Sequence, residues 1–150
     1  MKTIKEALLI VAIGCILGLI VNAFSEQPVP LIPQPKPIEK WPVLTLEEVQ
    51  QYIDEGLGII IDARDAKYFD LGHLPGAVNL PAQEFGEVFA KIGDSLPQDL
   101  PLVVYCHGGN CSESHEVLEY LEELEFQPLF IFTAGWEKWE AKGLPIEKTE

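Results

Sequence analysis

Short apolar runs alternate with helical patterns over most of the chain. A short strand is expected at 77–80, and three continuous apolar runs lie at 59–61, 102–105 and 129–132. Runs of this kind are typical of strands that are buried on both faces. Apolar residues at helical spacing predict helices at about 45–55, 85–92, 112–126 and 135–142. The pattern predicts an α/β domain whose small parallel sheet is covered by helices on both faces, with ligands at the carboxyl edge of the strands.

The helix at 45–55 carries sequence signals at both ends. Thr45 and Glu48 have the spacing of a capping box, and Gly56 is a typical terminator.

The N-terminal segment is a different kind of helix. Residues 7–24 contain no charge, and as a helix they would span roughly 27 Å at ~1.5 Å per residue, close to the thickness of a bilayer core. Lys2 and Lys5 precede the run, and the next basic residue is Lys36. The positive-inside rule therefore predicts one transmembrane helix with the rest of the chain on the extracytoplasmic (periplasmic) side.

A cleaved signal peptide is the alternative, with cleavage after Ala23 giving a secreted form. Lipoprotein processing before Cys15 is disfavoured because it would split the apolar stretch. A transmembrane anchor, a cleaved signal peptide and a lipoprotein would each place the domain outside the cytoplasm.

Prolines at positions 28, 30, 33, 35 and 37 interrupt any regular structure after the apolar run. The chain is therefore divided into an anchor or signal segment (1–24), a proline-rich linker (25–41) and a globular domain (42–150).

The net charge is −14. Such an acidic chain is not expected to bind nucleic acid, which requires a basic surface. The acid excess favours solubility, or a basic protein partner whose identity the sequence does not give.

Cys106 is the first candidate for chemistry. It follows the apolar run at 102–105, and a predicted helix begins a few residues later. Between them lies a glycine-rich loop consisting of His107, Gly108, Gly109, Asn110, Cys111 and Ser112. Loop amides and a helix N-terminus favour negative charge, which lowers the pKa of a thiol. We therefore predict a nucleophilic thiolate at Cys106, with Ser112 capping the helix.

Several stretches of the sequence resemble a known protein family. Four stretches, at 59–81, 103–112, 132–139 and 143–147, are similar to a single rhodanese-like domain over about residues 42–149. In the first stretch a strand, the pair Asp62 and Arg64, and a turn from Gly72 to Ala77 follow in the order of that family.

The resemblance implies a sulfurtransferase. The cysteine at the position of Cys106 takes sulfane sulfur from a small donor as a persulfide, the amides of residues 107–112 cradle the terminal sulfur, and a thiol or other thiophilic acceptor removes it. Many such loops carry arginine where this chain has Cys111, and this loop contains neither arginine nor lysine. Binding of an anionic donor such as thiosulfate is therefore disfavoured, and so is phosphatase chemistry.

Cys111 leaves alternatives open. It is either a resolving thiol that forms a disulfide with Cys106 or a small loop residue whose backbone alone matters. The first option makes the chain a thiol redox protein. A non-catalytic binding module of the same fold is a further alternative.

The remaining polar residues are interpreted as structural. Asp62 and Arg64 are expected to form an internal ion pair, and His73 is expected to bond to backbone in its turn. The cysteines and histidines do not show the spacing of a metal site. We therefore predict neither a metal nor another cofactor.

Overall fold

The computed structural model describes residues 2–25, 39–109 and 111–149. Two compact units are distinguished, Met1–Ile38 and Glu39–Glu150. In the first unit, helix α1 covers Lys2–Ala23. Its segment Ile4–Asn22 is long and apolar enough to cross a membrane, a property that membrane anchors and signal sequences share.

The second unit is an α/β fold, as predicted. Its helices are α2 (Leu46–Glu55), α3 (Ala66–Leu71), α4 (Phe85–Ile92), α5 (Glu113–Glu123) and α6 (Gly135–Ala141). Its strands are β1 (Ile59–Asp62), β2 (Val78–Asn79), β3 (Leu102–Tyr105) and β4 (Leu129–Phe132). Short 3₁₀ turns flank α4 at Ala82–Glu84 and Gly93–Ser95.

All strand pairs are parallel, and the order across the sheet is β2-β1-β3-β4. The register of the central pair places Asp62 opposite Tyr105. The carboxyl ends of β1 and β3 therefore lie side by side, directly before Cys106. This arrangement puts the candidate nucleophile at the carboxyl edge of the sheet, where ligands bind in folds of this type.

Alternate residues of β3 face opposite sides of the sheet. Leu102, Val104 and Cys106 belong to one buried cluster, together with residues of α5. Val103 and Tyr105 belong to the other, with residues of α2 and α6. Helices therefore cover both faces, and each strand residue of β3 is buried.

The ends of α2 form as the sequence predicts. Glu48 N–H donates to Thr45 Oγ1 at 3.2 Å, and Thr45 N–H donates to a Glu48 carboxylate oxygen at 2.7 Å. Gly56 ends the helix in the left-handed conformation, at φ +63°.

Segment 42–44 continues the hydrogen bonding beyond β4. Ile131 N–H donates to Pro42 O at 3.0 Å, and Leu44 N–H donates to Ile131 O at 2.9 Å. Trp41 is buried in the first cluster beside this segment. The free edge of β4 is thereby partly covered by the residues that enter the domain.

Candidate active site

Cys106 lies directly after β3 and is 3% exposed. Its side chain packs within the apolar cluster that α5 closes. Its sulfur contacts the hydroxyl of Ser114, with Sγ and Oγ 3.3 Å apart. Ser114 is itself buried at 2% exposure. A buried hydroxyl therefore lies next to the candidate nucleophile, where it can donate a hydrogen bond to a thiolate.

The loop after Cys106 is held by the start of α6. Trp136 N–H donates to Cys106 O and Glu137 N–H donates to His107 O, each at 2.9 Å. Gly108 has φ +124°, and Gly135 has φ +58°. A Cβ atom at Gly135 would lie 2.6 Å from both Cys106 O and Gly108 N. Glycine is therefore required at Gly135 for the loop to approach α6 this closely.

The structure joins Cys106 and Cys111 in a disulfide, with their Cα atoms 6.5 Å apart. In this state the Cys106 sulfur is not a nucleophile, and it becomes one only after reduction. The predicted cradle of amides concerns the thiolate or persulfide, and it stays a prediction for those forms. Asn110 lies outside the described residues.

Glu113 is the polar neighbour of the second sulfur. Its Oε2 atom lies 3.1 Å from Cys111 Sγ. This sulfur carries no hydrogen while it is in the disulfide; after reduction, the same geometry places a thiol against a carboxylate. Each of the two sulfurs therefore has one polar partner from the first turn of α5, Ser114 for Cys106 and Glu113 for Cys111.

Partial burial raises the pKa of the Glu113 carboxyl above its ordinary value, while the charge of His107 opposes the rise. Three neighbouring carboxylates reinforce it, those of Asp65, Glu116 and Asp62. Glu113 therefore accepts and returns a proton more readily near neutral pH than an exposed carboxylate does.

Ser112 occupies the N-cap position of α5, but its side chain makes no capping hydrogen bond. The prediction that this hydroxyl caps the helix was therefore wrong. Its φ and ψ of −84° and −23° are helical, whereas a capping serine usually has extended backbone that brings its oxygen back to the first-turn amides.

A buried network of hydrogen bonds connects the carboxyl ends of β1 and β3. Arg64 donates to Asp62 through Nε at 2.9 Å and through Nη2 at 2.5 Å, and Nη2 also donates to Gly72 O at 2.8 Å. Tyr105 OH donates to Asp62 Oδ2 at 2.6 Å. Asp62 and Arg64 are 0% and 1% exposed. The expected ion pair is thus present, and it connects β1, β3 and the turn at Gly72.

His73 lies at that turn. Its Nδ1 is 2.8 Å from Phe69 O, and its ring stacks on Phe69 with centroids 3.7 Å apart. Its backbone pairs with Glu147 in both directions. His73 therefore connects α3 to the C-terminal segment.

His107 directly follows Cys106 in the loop. Its ring meets Tyr68 edge to face, with centroids 4.6 Å apart. Both residues line a cavity of about 310 Å³ together with Arg64 and Trp136. Cys106 is not among the residues that line this cavity. The cavity therefore adjoins the loop but does not open onto the Cys106 sulfur.

One group of described residues has ligand atoms close enough for a metal ion. The sulfurs of Cys106 and Cys111 and a carboxylate oxygen of Glu113 lie within 4.8 Å of one another. The disulfide uses both sulfurs, and three ligands fall short of the four of a closed zinc site. These residues fit thiol chemistry better than a structural metal centre.

Sequence reasoning identified the two cysteines but missed Ser114, Glu113 and Tyr105. A signal existed for Ser114, since it begins the helical stripe of buried residues that continues with Val117, Leu118 and Leu121. Tyr105 could have been recognised as the strand residue that faces the opposite side from Cys106. Its pairing with Asp62 depends on the strand register, which the sequence does not show.

The chain belongs to the rhodanese-like domain family, which matches residues 45–142. Thiosulfate sulfurtransferase GlpE of Actinobacillus succinogenes is 30% identical over 104 residues, covering 69% of this chain and 88% of that protein. The predicted family and α/β fold are therefore confirmed, and the chain is related to rhodanese-like sulfurtransferases.

Solved structures agree on the fold. The BH2092 protein of Bacillus halodurans superposes with a TM-score of 0.64 at 23% identity, covering 72% of this chain and 77% of that one. Thiosulfate sulfurtransferase from Pseudomonas aeruginosa gives a TM-score of 0.59 at 22% identity. That match covers 73% of this chain and 21% of the larger protein.

Proposed function

We propose that the chain is an extracytoplasmic sulfurtransferase that carries sulfane sulfur as a persulfide on Cys106. The observation that carries the proposal is the position of this cysteine, at the end of β3 and before α5, with Ser114 Oγ 3.3 Å from its sulfur. A helix N-terminus and a hydroxyl donor both favour a thiolate at this point. The family relationship supports the same chemistry.

The two half-reactions share one sulfur position. The Cys106 thiolate attacks the outer sulfur of a donor, the S–S bond of the donor breaks, and the rest of the donor leaves with the bonding electron pair. A thiophilic acceptor then attacks the terminal sulfur of the persulfide, and Cys106 leaves as a thiolate. The protein returns to its starting state without a cofactor.

The test is mass spectrometry of the reduced full-length chain after incubation with thiosulfate or with glutathione persulfide. To keep the second thiol from interfering, Cys111→Ser is used beside the wild type. We expect about 32 Da to be added to Cys106 in Cys111→Ser. Absence of an adduct with both donors would refute the proposal.

The proposed location depends on α1. Its apolar segment follows two lysines, and the positive-inside rule then exports the domain. The outer membrane of the cells is first made permeable while the cytoplasmic membrane stays closed. Added protease should then digest the domain and spare cytoplasmic markers. N-terminal sequencing of the mature protein distinguishes a retained anchor from cleavage after Ala23.

A second function is favoured by the disulfide. A Cys106–Cys111 pair that cycles between dithiol and disulfide would make the chain a thiol redox protein. Thiol counting across a series of redox buffers tests this: loss of both loop thiols in one two-electron transition supports it, and two unlinked thiols refute it.

A further inference from the structure

The two sulfurs differ in their access to solvent. Cys106 is 3% exposed, while Cys111 is only partly buried. An external thiol therefore reaches Cys111 more easily than Cys106. Since the structure brings the two sulfurs into bonding contact, Cys111 can also reach the Cys106 sulfur when that sulfur carries a persulfide.

Cys111 must lose its proton to attack another sulfur. A thiol has an ordinary pKa of about 8.5 and is mostly protonated at neutral pH. Glu113 Oε2, 3.1 Å from Cys111 Sγ, is the carboxylate placed to take this proton. Its raised pKa makes the transfer less unfavourable than it would be to an exposed glutamate.

We propose that Cys111 discharges the Cys106 persulfide as sulfide, with Glu113 as the residue that takes the Cys111 proton. This inference rests on the persulfide of the proposed function, and it adds a product, sulfide, that needs no external sulfur acceptor. It also gives a specific reason for Cys111 in a loop position where an arginine would bind anionic donors.

The Cys111 thiolate attacks Cys106 Sγ, the bond between Cys106 Sγ and the terminal sulfur breaks, and the terminal sulfur leaves as hydrosulfide with the electron pair. The proton from Cys111 goes to Glu113 and then to solvent or to the departing sulfide. The sulfane sulfur is reduced to sulfide, and the two cysteine thiols are oxidised to the disulfide seen in the structure.

A dithiol reductant closes the cycle. One of its thiolates attacks the accessible Cys111 sulfur, and Cys106 leaves as a thiolate next to Ser114. The second thiol of the reductant loses its proton to solvent and attacks the reductant's own sulfur in the mixed disulfide. Cys111 leaves as a thiolate and takes up a proton from solvent by way of Glu113. The reductant ends as a disulfide, and both loop thiols are restored.

The experiment follows single turnover of the reduced full-length chain, freed of reductant, with thiosulfate and with glutathione persulfide. We expect the wild type to release one sulfide per chain and to end about 2 Da lighter than the reduced protein, with both loop thiols blocked to alkylation. Cys111→Ser should keep about 32 Da on Cys106 and release no sulfide. Thermal unfolding of both proteins confirms that the variant is folded.

The outcomes separate the two proposals. A wild type that retains the persulfide, with Cys111 still open to alkylation, overturns this inference and leaves the proposed function intact. Failure of Cys111→Ser to take sulfur from both donors overturns the proposed function and this inference with it.

The role of Glu113 is tested by Glu113→Gln in the same assay. We expect sulfide release to be about a hundredfold slower near neutral pH, so that the Cys106 persulfide accumulates before sulfide appears. The rate should recover as the pH rises above about 8.5, where the thiol ionises without help. The charged groups that interact with Glu113 include His107, Asp65, Glu116, Asp62 and Lys67.

Glu119→Gln is the matched control. Glu119 lies on the same helix and is exposed. Its substitution by glutamine removes the same charge as Glu113→Gln. An equal loss of rate in this control, or a Glu113→Gln rate that does not recover with pH, would assign the effect to net charge or to structure and overturn the role of Glu113.

Discussion

Tyr105 donates a 2.6 Å hydrogen bond to Asp62 Oδ2, and its own oxygen accepts from Leu74 N–H at 3.1 Å. The residue before the candidate nucleophile is thereby connected to the end of the neighbouring strand and to the following turn. We expect Tyr105→Phe to lower the free energy of unfolding by about 1–3 kcal/mol, because it leaves a buried amide and a carboxylate oxygen each short of one partner. Urea denaturation of the full-length chain measures this, with Tyr120→Phe at an exposed position as the control.

The same tyrosine predicts how stability depends on alkaline pH. Burial raises the pKa of Tyr105 above its ordinary value, and the negative charge of Asp62 raises it further. The folded protein therefore keeps a proton that the unfolded chain loses above about pH 10, so stability falls as the pH rises past that point. The chain has four tyrosines, and absorbance at 295 nm should show that the phenolate signal of one of them appears only together with unfolding; Tyr105→Phe should lack this part of the signal. A wild-type signal that is complete before unfolding begins would contradict this assignment.

Ser114 should affect chemistry more than folding. Its hydroxyl is 3.3 Å from Cys106 Sγ, and one hydrogen bond to a charged group contributes about 1.5–3 kcal/mol. We expect Ser114→Ala to slow persulfide formation on Cys106 by about tenfold or more, measured by mass spectrometry at timed intervals. The comparison is Ser112→Ala, whose side chain makes no capping bond; it should leave the loading rate unchanged and the stability within about 0.5 kcal/mol. Equal rates in the two variants would remove Ser114 from the site.

Two glycines in helices give opposite predictions. Gly135→Ala places a Cβ 2.6 Å from the loop backbone at a positive φ. It should therefore lower the free energy of unfolding by at least about 1–3 kcal/mol and reduce sulfur loading of Cys106. Gly86 lies in α4 and is exposed, and a Cβ atom added there would meet nothing within 4 Å. Gly86→Ala should stabilise the protein by about 0.5–1 kcal/mol. Thermal unfolding of the two variants tests both signs, and a neutral Gly135→Ala would show that the loop is not fixed by α6.

Local signals in the sequence were sufficient for most helices and strands. The capping box of Thr45 and Glu48 and the stop at Gly56 predicted α2, and continuous apolar runs predicted β1, β3 and β4. These features depend on neighbouring residues only, which is why a single sequence contains them.

Features without a local signal were missed. Helix α3 has six residues, none of them buried, and Asp65 makes no capping bond, so the sequence shows neither a period nor a start. Helix α5 ends at Glu123 rather than near Phe126 as predicted, because Glu125 has φ +62° and Phe126 turns back into the core. In both cases tertiary packing decides the backbone.

The candidate site divides in the same way. Cys106 and its loop were recognisable from a strand, two glycines and a following helix. The pairing of Tyr105 with Asp62 joins residues 43 positions apart and depends on the register of β1 against β3. The different environments of the two sulfurs depend on how α5 packs on the sheet. Geometry across the sheet is therefore the part that the sequence alone could not supply.

The bonding of segment 42–44 to β4 has a practical consequence for anyone who prepares a soluble form of the domain. The family match begins at residue 45, and a fragment cut there would lose Trp41 from the interior and strip Ile131 of two main-chain partners. An uncovered outer strand of this kind invites pairing between molecules. Expression should therefore start at Glu39 or earlier, which also keeps the contacts of Glu39 with His115 and of Lys40 with Glu122.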